Sequence, residues 1–193
     1  MADPNSTYIG SRVGLWNARY ENVENRKMYD DPHTAGLAGE FLRHETIQEV
    51  EDWGCGYGGF KEYLAPHQRY IGVDGSQTPF AERIVDLETY RSDVDAIHLR
   101  HVLEHNINWH SILSNALLSF KKRMVLTLFT PFVEETCIIN QYEYFGGSNI
   151  TMVDVAFRRD DIVSLFGGLK WESKENINTK TQYKVEHVFF LSR

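Results

Sequence analysis

The chain has 193 residues, 42% hydrophobic and 24% charged, a mix that supports a packed core and excludes wholesale disorder. Its 20 Lys and Arg against 27 Asp and Glu leave a formal charge of −7, so duplex DNA or bulk RNA finds no basic footprint, and nucleic acid is not expected as a main partner. No apolar run approaches the ~18 residues of a membrane span, residues 1–10 lack the order of a secretory leader, and Cys55 and Cys137 alone cannot build a disulfide framework or structural zinc site. The expectation is one domain over residues 1–193 in a reducing, cytoplasmic compartment.

No internal repeat or low-complexity tract is present. Residues 1–33 are polar and aromatic without clean periodicity, containing Tyr8, Trp16, Tyr20 and Tyr29. From Thr34 to His44, Leu37, Phe41 and Leu42 recur at helical spacing, which predicts a helix with Thr34 as its N-cap. Predicted strands then follow at 49–53, 70–73, 82–85, 96–100, 124–129, 171–176 and 185–191. Helices are expected between several of them. The clearest is Trp109–Phe120, where Ile112, Leu113, Ala116, Leu117 and Phe120 share one face. This alternation predicts an α/β fold: a doubly wound, mostly parallel sheet of seven strands with helices on both faces. The connection 177–184 is too short for a helical crossover, so the last two strands should form an antiparallel hairpin. Residues 134–156, rich in Tyr, Phe and Gly, read as the longest irregular stretch, an insertion or lid over an acceptor site.

The first strand runs into Asp52-Trp53-Gly54-Cys55-Gly56-Tyr57-Gly58-Gly59. Glycines at the carboxyl end of a first strand let a ligand touch the backbone. Twenty residues after Gly54 the next strand ends in Gly72-Val73-Asp74-Gly75-Ser76, and an acid placed there can accept hydrogen bonds from both ribose hydroxyls. The alternative at this point is a dinucleotide-binding dehydrogenase, whose loop is normally Gly-x-Gly-x-x-Gly. Glycines at 54, 56, 58 and 59 fit that spacing less well.

With these motifs the chain resembles the class I, Rossmann-like S-adenosylmethionine-dependent methyltransferases over roughly residues 34–193. Asp52 to Gly58 resembles the Asp-x-Gly-x-Gly-x-Gly loop, and Gly72-Val73-Asp74 the ribose-binding strand end. Asp86-Leu87 resembles the pair flanking adenine. His101-Val102-Leu103-Glu104-His105 resembles the segment after strand four in small-molecule members. The resemblance implies S-adenosyl-L-methionine as cofactor. Gly54 and Gly56 would then approach its methionine part, with His101 beside it. Asp74 would bind the ribose, with Gly75 and Ser76 next to it, Ser76 being a turn cap on the plainer view. Asp86 would accept from the adenine amino group, with Leu87 on the ring, unless Asp86 simply opens a helical turn. Asp52 would orient the loop or the cofactor's amino group.

Glu51 and His98 depart from the apolar strands of that family. Strands one and four are neighbours in the family's sheet order, so the two side chains are expected to face each other. A buried carboxylate needs such a partner. Arg100 is expected to reach the cofactor carboxylate or an acidic acceptor.

The resemblance implies methyl transfer from a sulfonium, for which the protein mainly aligns and desolvates the reactants. A hydroxyl acceptor also needs a base, and His101, His105 and His110 cluster past strand four. His105 is the first choice and His101 the second, although a histidine there can also simply bond a nearby carbonyl. No convincing metal-ligand spacing accompanies them. The acceptor wall is expected from Trp16 and Tyr20, from Thr130-Pro131-Phe132, and from residues 141–145 with Tyr142 and Tyr144. Aromatics beside Asn, Gln and Glu suit a sugar, and 122–132 resembles methyltransferases found with glycan-building enzymes. The expected function is methylation of a hydroxyl on a sugar or glycan. The alternatives are O- or N-methylation of another small metabolite, or a non-catalytic module that binds the cofactor.

Overall fold

Strand-forming residues and parallel pairing put every strand predicted for the main sheet in place. The computed structural model describes Gly14 and residues 16–21, 32–143 and 151–193. Its strands are β1 (Glu49–Trp53), β2 (Arg69–Asp74), β3 (Arg83–Ile84), β4 (Val94–Arg100), β5 (Phe120–Leu128), β6 (Cys137–Glu143), β7 (Thr151–Ala156), β8 (Lys170–Asn178) and β9 (Val185–Ser192). The helices are α1 (Asn17–Tyr20), α2 (Pro32–Leu42), α3 (Trp109–Ser119) and α4 (Arg159–Val163). Seven strands form one sheet in the order β3-β2-β1-β4-β5-β9-β8. β1 to β5 pair in parallel, and β9 runs antiparallel to both β5 and β8. The chain thus reverses direction across the sheet between β1 and β4, the switch point where doubly wound sheets open a crevice at their carboxyl edge.

Both faces are covered. On one, Ala35, Ala38 and Leu42 of α2 pack on Val50, Ala96, Val125, Val188 and Phe190. On the other, Ile112, Leu113 and Ala116 of α3 and Ile162 of α4 pack on Trp53, Ile97, Leu99, Leu126 and Phe189. Each fully buried Leu or Ile in these layers contributes roughly 1.5–3 kcal/mol. No described helix is long and apolar enough to cross a membrane.

Several expectations are corrected. α2 begins at Pro32 rather than at Thr34. Proline suits a first helical position because its missing N–H has no partner there anyway, so Thr34 lies inside the helix, not at its cap. β3 has two residues instead of the four expected at 82–85. Residues 134–156 are not irregular throughout: β6 and β7 pair antiparallel as a separate two-stranded sheet. Its signal was present in the run Met152-Val153-Asp154-Val155, but Ile138 and Ile139 are exposed, so β6 lacks the alternation that marks a strand.

Glu51 and His98 do not meet. The register pairs Asp52 with His98 and Glu51 with Ile97, and this one-residue offset puts Glu51 and His98 on opposite faces. His98 Nδ1 lies 2.7 Å from Asp52 Oδ1, with its ring stacked on Phe60 at 3.6 Å. Glu51 is buried on the other face and accepts from Trp53 Nε1, Arg83 Nη1, Tyr90 Oη and Ser92 Oγ at 2.5–3.0 Å.

Candidate active site

The glycine loop leaves β1 through residues that only glycine tolerates easily. Gly54 and Gly56 have φ of +75° and +50°, in the left-handed region that penalises a Cβ. A Cβ on Gly54 would also lie 2.3 Å from Val102 Cγ2, so the loop and the turn after β4 are in direct contact. Gly56 N–H donates to Asp74 Oδ2 at 2.9 Å, and Ser76 N–H to Asp74 Oδ1 at 2.8 Å. Each oxygen keeps a further acceptor position. Burial pushes the Asp74 carboxyl up to about 6, against the pull of those N–H bonds. A buried acid at a strand end with unused lone pairs, beside a loop free of side chains, fits the two hydroxyls of a ribose.

Gly14 and residues 16–20 lie against this loop. Gly14 N–H donates to Gly75 O at 2.6 Å, Trp16 N–H to Ser76 Oγ at 2.8 Å, and Gln77 N–H to Asn17 Oδ1 at 2.6 Å. Tyr20 packs edge-on against Tyr57, and its hydroxyl stands 3.4 Å from where a Gly56 Cβ would be. Trp16 and Tyr20 therefore stand beside the glycine loop and the end of β2. The Trp16 ring lies 5.4 Å from that of His105.

Past β4 the backbone turns sharply, with His101 at φ +56°, a conformation that non-glycine residues hold only under constraint. The constraint is Glu186 of β9. Its Oε1 meets Arg100 Nη2 at 2.9 Å and also His101 Nε2. Burial raises the Glu186 carboxyl, but His101, Arg100 and Thr34 outweigh this and hold it at about 2. Burial and the Arg100 charge lower His101 to about 4. Arg100 is thus committed to Glu186, contrary to the expectation that it reaches cofactor or acceptor. Asp52 is likewise engaged: besides His98 it accepts from Tyr70 Oη at 2.9 Å. Between His101 and His105, Glu104 is fully buried and accepts the Phe129 N–H. Burial pushes its carboxyl up to about 7.

His105 sits in the short 3-10 turn Leu103–His105, its side chain 20% exposed. Its Nδ1 is 3.2 Å from Val153 O and 3.2 Å from Asp154 Oδ1, both on β7. Its ring stands 5.4 Å from Phe129. The carbonyl contact of the plainer alternative is thus present, together with a carboxylate the sequence reading missed because β7 was taken as irregular. Asp154 is buried and also accepts from Tyr183 Oη at 2.8 Å and Asn140 Nδ2 at 3.2 Å. Burial alone would raise its carboxyl; His105, Tyr183 and Asn140 hold it below the ordinary value. Burial and Asp154 in turn raise the Tyr183 hydroxyl.

The other predicted residues divide. His110 is exposed on α3 and stacks on Trp109. Asp86 accepts the N–H of Glu88 at 2.9 Å and its carbonyl that of Tyr90, an acid opening a turn, with Leu87 buried behind it. Thr130 donates to Val155 O at 2.9 Å, tying the end of β5 to β7. Tyr142 lies on β6 opposite Met152, and Tyr144 falls outside the described residues. No group of three or more metal-ligating side chains occurs among the described residues.

The seven-stranded order, the reversed hairpin and the glycine loop facing Asp74 define the fold of class I S-adenosylmethionine-dependent methyltransferases. Solved structures agree. The N-terminal domain of EvdMO1 with SAH bound aligns over 89% of this chain and 84% of its own, at TM-score 0.59 and 13% identity. A second structure of that domain, in the presence of SAH and D-fucose, aligns over 86% and 83%, at 0.56 and 13%. The 1,6-didemethyltoxoflavin-N1-methyltransferase of Burkholderia thailandensis, with its substrate and S-adenosylhomocysteine bound, aligns over 100% and 91%, at 0.67 and 15%. At these identities the likeness is one of fold. No family model and no curated protein matches the chain.

Proposed function

We propose that this protein is an S-adenosylmethionine-dependent methyltransferase that acts on a hydroxyl of a small polar acceptor, a sugar or glycan. The observation that carries the cofactor reading is the positive-φ loop at Gly54 and Gly56 closed on Asp74 at the switch point of the sheet. The SAH and S-adenosylhomocysteine in the matched structures support it. Gly54 and Gly56 would face the methionine part, Asp74 the ribose, and Leu87 the adenine, with Gly75 and Ser76 completing that wall. Arg100 and His101 would hold the turn after β4 in shape through Glu186, and Asp52 the end of β1 through His98 and Tyr70.

The cofactor, when bound, supplies an activated methyl group whose transfer to the acceptor oxygen breaks a carbon–sulfur bond and leaves a neutral thioether. The chain's own part is to align the acceptor, exclude water and take the hydroxyl proton. His105 is the base: it stands past β4, in a turn closed by its N–H on Val102 O, with its ring 5.4 Å from that of Trp16. A positioned base contributes roughly 10²–10⁴-fold. Trp16, Tyr20, Phe129, Tyr142 and Tyr183 would offer ring faces and hydroxyls to a polyol. The matched structure obtained in the presence of D-fucose supports a sugar; the toxoflavin N1-methyltransferase supports a nitrogen acceptor as the second reading.

Calorimetry tests the cofactor assignment. S-adenosylhomocysteine should bind the wild-type protein, and Asp74→Ala should weaken it about tenfold or more, as expected for loss of a charge-assisted bond of roughly 1.5–3 kcal/mol. Binding of a nicotinamide dinucleotide in its place would end the assignment. Incubation with labelled cofactor and a panel of sugars, read by mass spectrometry, tests the acceptor class. In the same assay His105→Ala should lower turnover by about 10²-fold or more while leaving cofactor affinity nearly unchanged.

A further inference from the structure

We infer that Asp154 is a positioning residue for His105, fixing the imidazole with its proton on Nδ1 and its lone pair on Nε2. This rests on the proposed role of His105 as base. Both neighbours of Nδ1 are acceptors: Val153 O takes the hydrogen bond, and Asp154 Oδ1 stands at 3.2 Å as the facing charge. A neutral imidazole carries one N–H, so the proton belongs on Nδ1 and Nε2 is the basic atom. When Nε2 takes the acceptor's hydroxyl proton, the resulting imidazolium meets a carboxylate through Nδ1–H and is not left unpaired.

Strand pairing does not explain the arrangement. Met152, Val153, Val155, Ala156 and Phe157 are all buried around Asp154, so the acid stands in an otherwise apolar strand, where a carboxylate is costly unless bonded. Asn140 from β6 and Tyr183 from the β8–β9 turn donate to its Oδ2, which leaves Oδ1 facing His105 Nδ1 at 3.2 Å with no hydrogen-bond donor of its own among the described residues. Gln182 Nε2 approaches at 3.5 Å. His105 itself is faced by β7, through Val153 and Asp154, and by the rings of Trp16 and Phe129. The titratable groups near it are Asp154 from β7, Glu104 in its own turn and His101 at the end of β4; Trp16 and Phe129 face it with uncharged rings. Asp154 is the carboxylate within reach of its Nδ1.

The test is a long-range proton–nitrogen correlation spectrum of the free protein, labelled at histidine nitrogen, with His105 assigned through His105→Gln. In the wild-type neutral form, the proton should sit on Nδ1. Asp154→Asn should lower the His105 titration midpoint by about one pH unit or more, because an opposite charge this close typically shifts a partner by roughly 1–3. The exposed His44 should not move. Tyr183→Phe, which strips a competing donor from the carboxylate, should raise the midpoint. A wild-type proton on Nε2, or an Asp154→Asn midpoint equal to wild type, would overturn the inference. If Asp154→Asn does not fold, the wild-type proton position still decides. Collapse of turnover in His105→Ala with an unmoved midpoint in Asp154→Asn would remove the positioning role and keep the base. Normal turnover with a shifted midpoint would remove the base and keep the pair.

Discussion

Arg100 Nη2 lies 2.9 Å from Glu186 Oε1, joining the carboxyl end of β4 to the start of β9. The Glu186 side chain has no solvent exposure and the Arg100 side chain 13%, and His101 shares the same oxygen. Removing one partner of a buried pair strands the other. Glu186→Ala should therefore lower unfolding free energy by about 3–5 kcal/mol, read from denaturant midpoints. The variant should also release the φ +56° turn at His101 and so weaken cofactor binding more than a distant core variant of equal stability loss.

Glu51 makes the same argument on the opposite face. Four donors converge on a carboxylate that is 1% exposed. Glu51→Ala leaves Trp53, Arg83, Tyr90 and Ser92 without that acceptor and should again cost about 3–5 kcal/mol. Arg83→Ala should cost less, since Glu51 keeps its other three donors. Equal losses in the two variants would show that the contact with Arg83 governs the cluster.

Stability should change little between about pH 4.5 and 6. His101 and His187 are both lowered to about 4 by burial, so on acidification from 6.5 the unfolded chain takes up two protons that the folded chain refuses. Glu104 and Asp74, raised by burial to about 7 and about 6, hold two protons in the folded chain that the unfolded chain has lost. The two effects have opposite sign and cancel in that window. Below about 4.5 the folded chain keeps Glu186 ionised down to about 2, so its contribution, complete above that range, is lost as pH falls through it. Glu104→Gln removes one side of the balance. Its stability should rise relative to wild type by about 1.4 kcal/mol per pH unit between 4.5 and 6.5, measured by urea titration at several pH values.

Cofactor affinity should depend on the ionisation of Asp74. Ribose hydroxyls donate to a carboxylate better than to a carboxylic acid, and the free protein holds this group at about 6. Below that point, affinity for S-adenosylhomocysteine should fall about tenfold per pH unit; Asp74→Asn should bind more weakly and lose the dependence. An unchanged slope in that variant would assign the titration to another group.

The main sheet was legible because its determinants are local: apolar runs, the glycines at 54 to 59, and an acid ending β2. What was not legible depended on register. One residue of offset between β1 and β4 gave His98 to Asp52 and left Glu51 to Arg83, Tyr90 and Ser92, and no spacing in the chain reports that offset. Thr34 looked like a cap because Pro32 was not weighed as a first helical residue. Asp154 escaped because its partners, His105 and Tyr183, are 49 and 29 positions away in the chain and meet it only once β6–β7 and the β8–β9 turn fold over the sheet.

Trp16 is held to Ser76 through its backbone and set against His105 through its ring. If His105 and Ser76 border the proposed acceptor and nucleoside subsites, one indole reports on both at once. Its emission should respond to filling of the nucleoside side and of the acceptor side, and the other tryptophans, Trp53, Trp109 and Trp171, stand elsewhere in the core and on β8. The molecule thus carries an intrinsic optical probe, by which the sequence of loading and unloading can be timed without any attached dye.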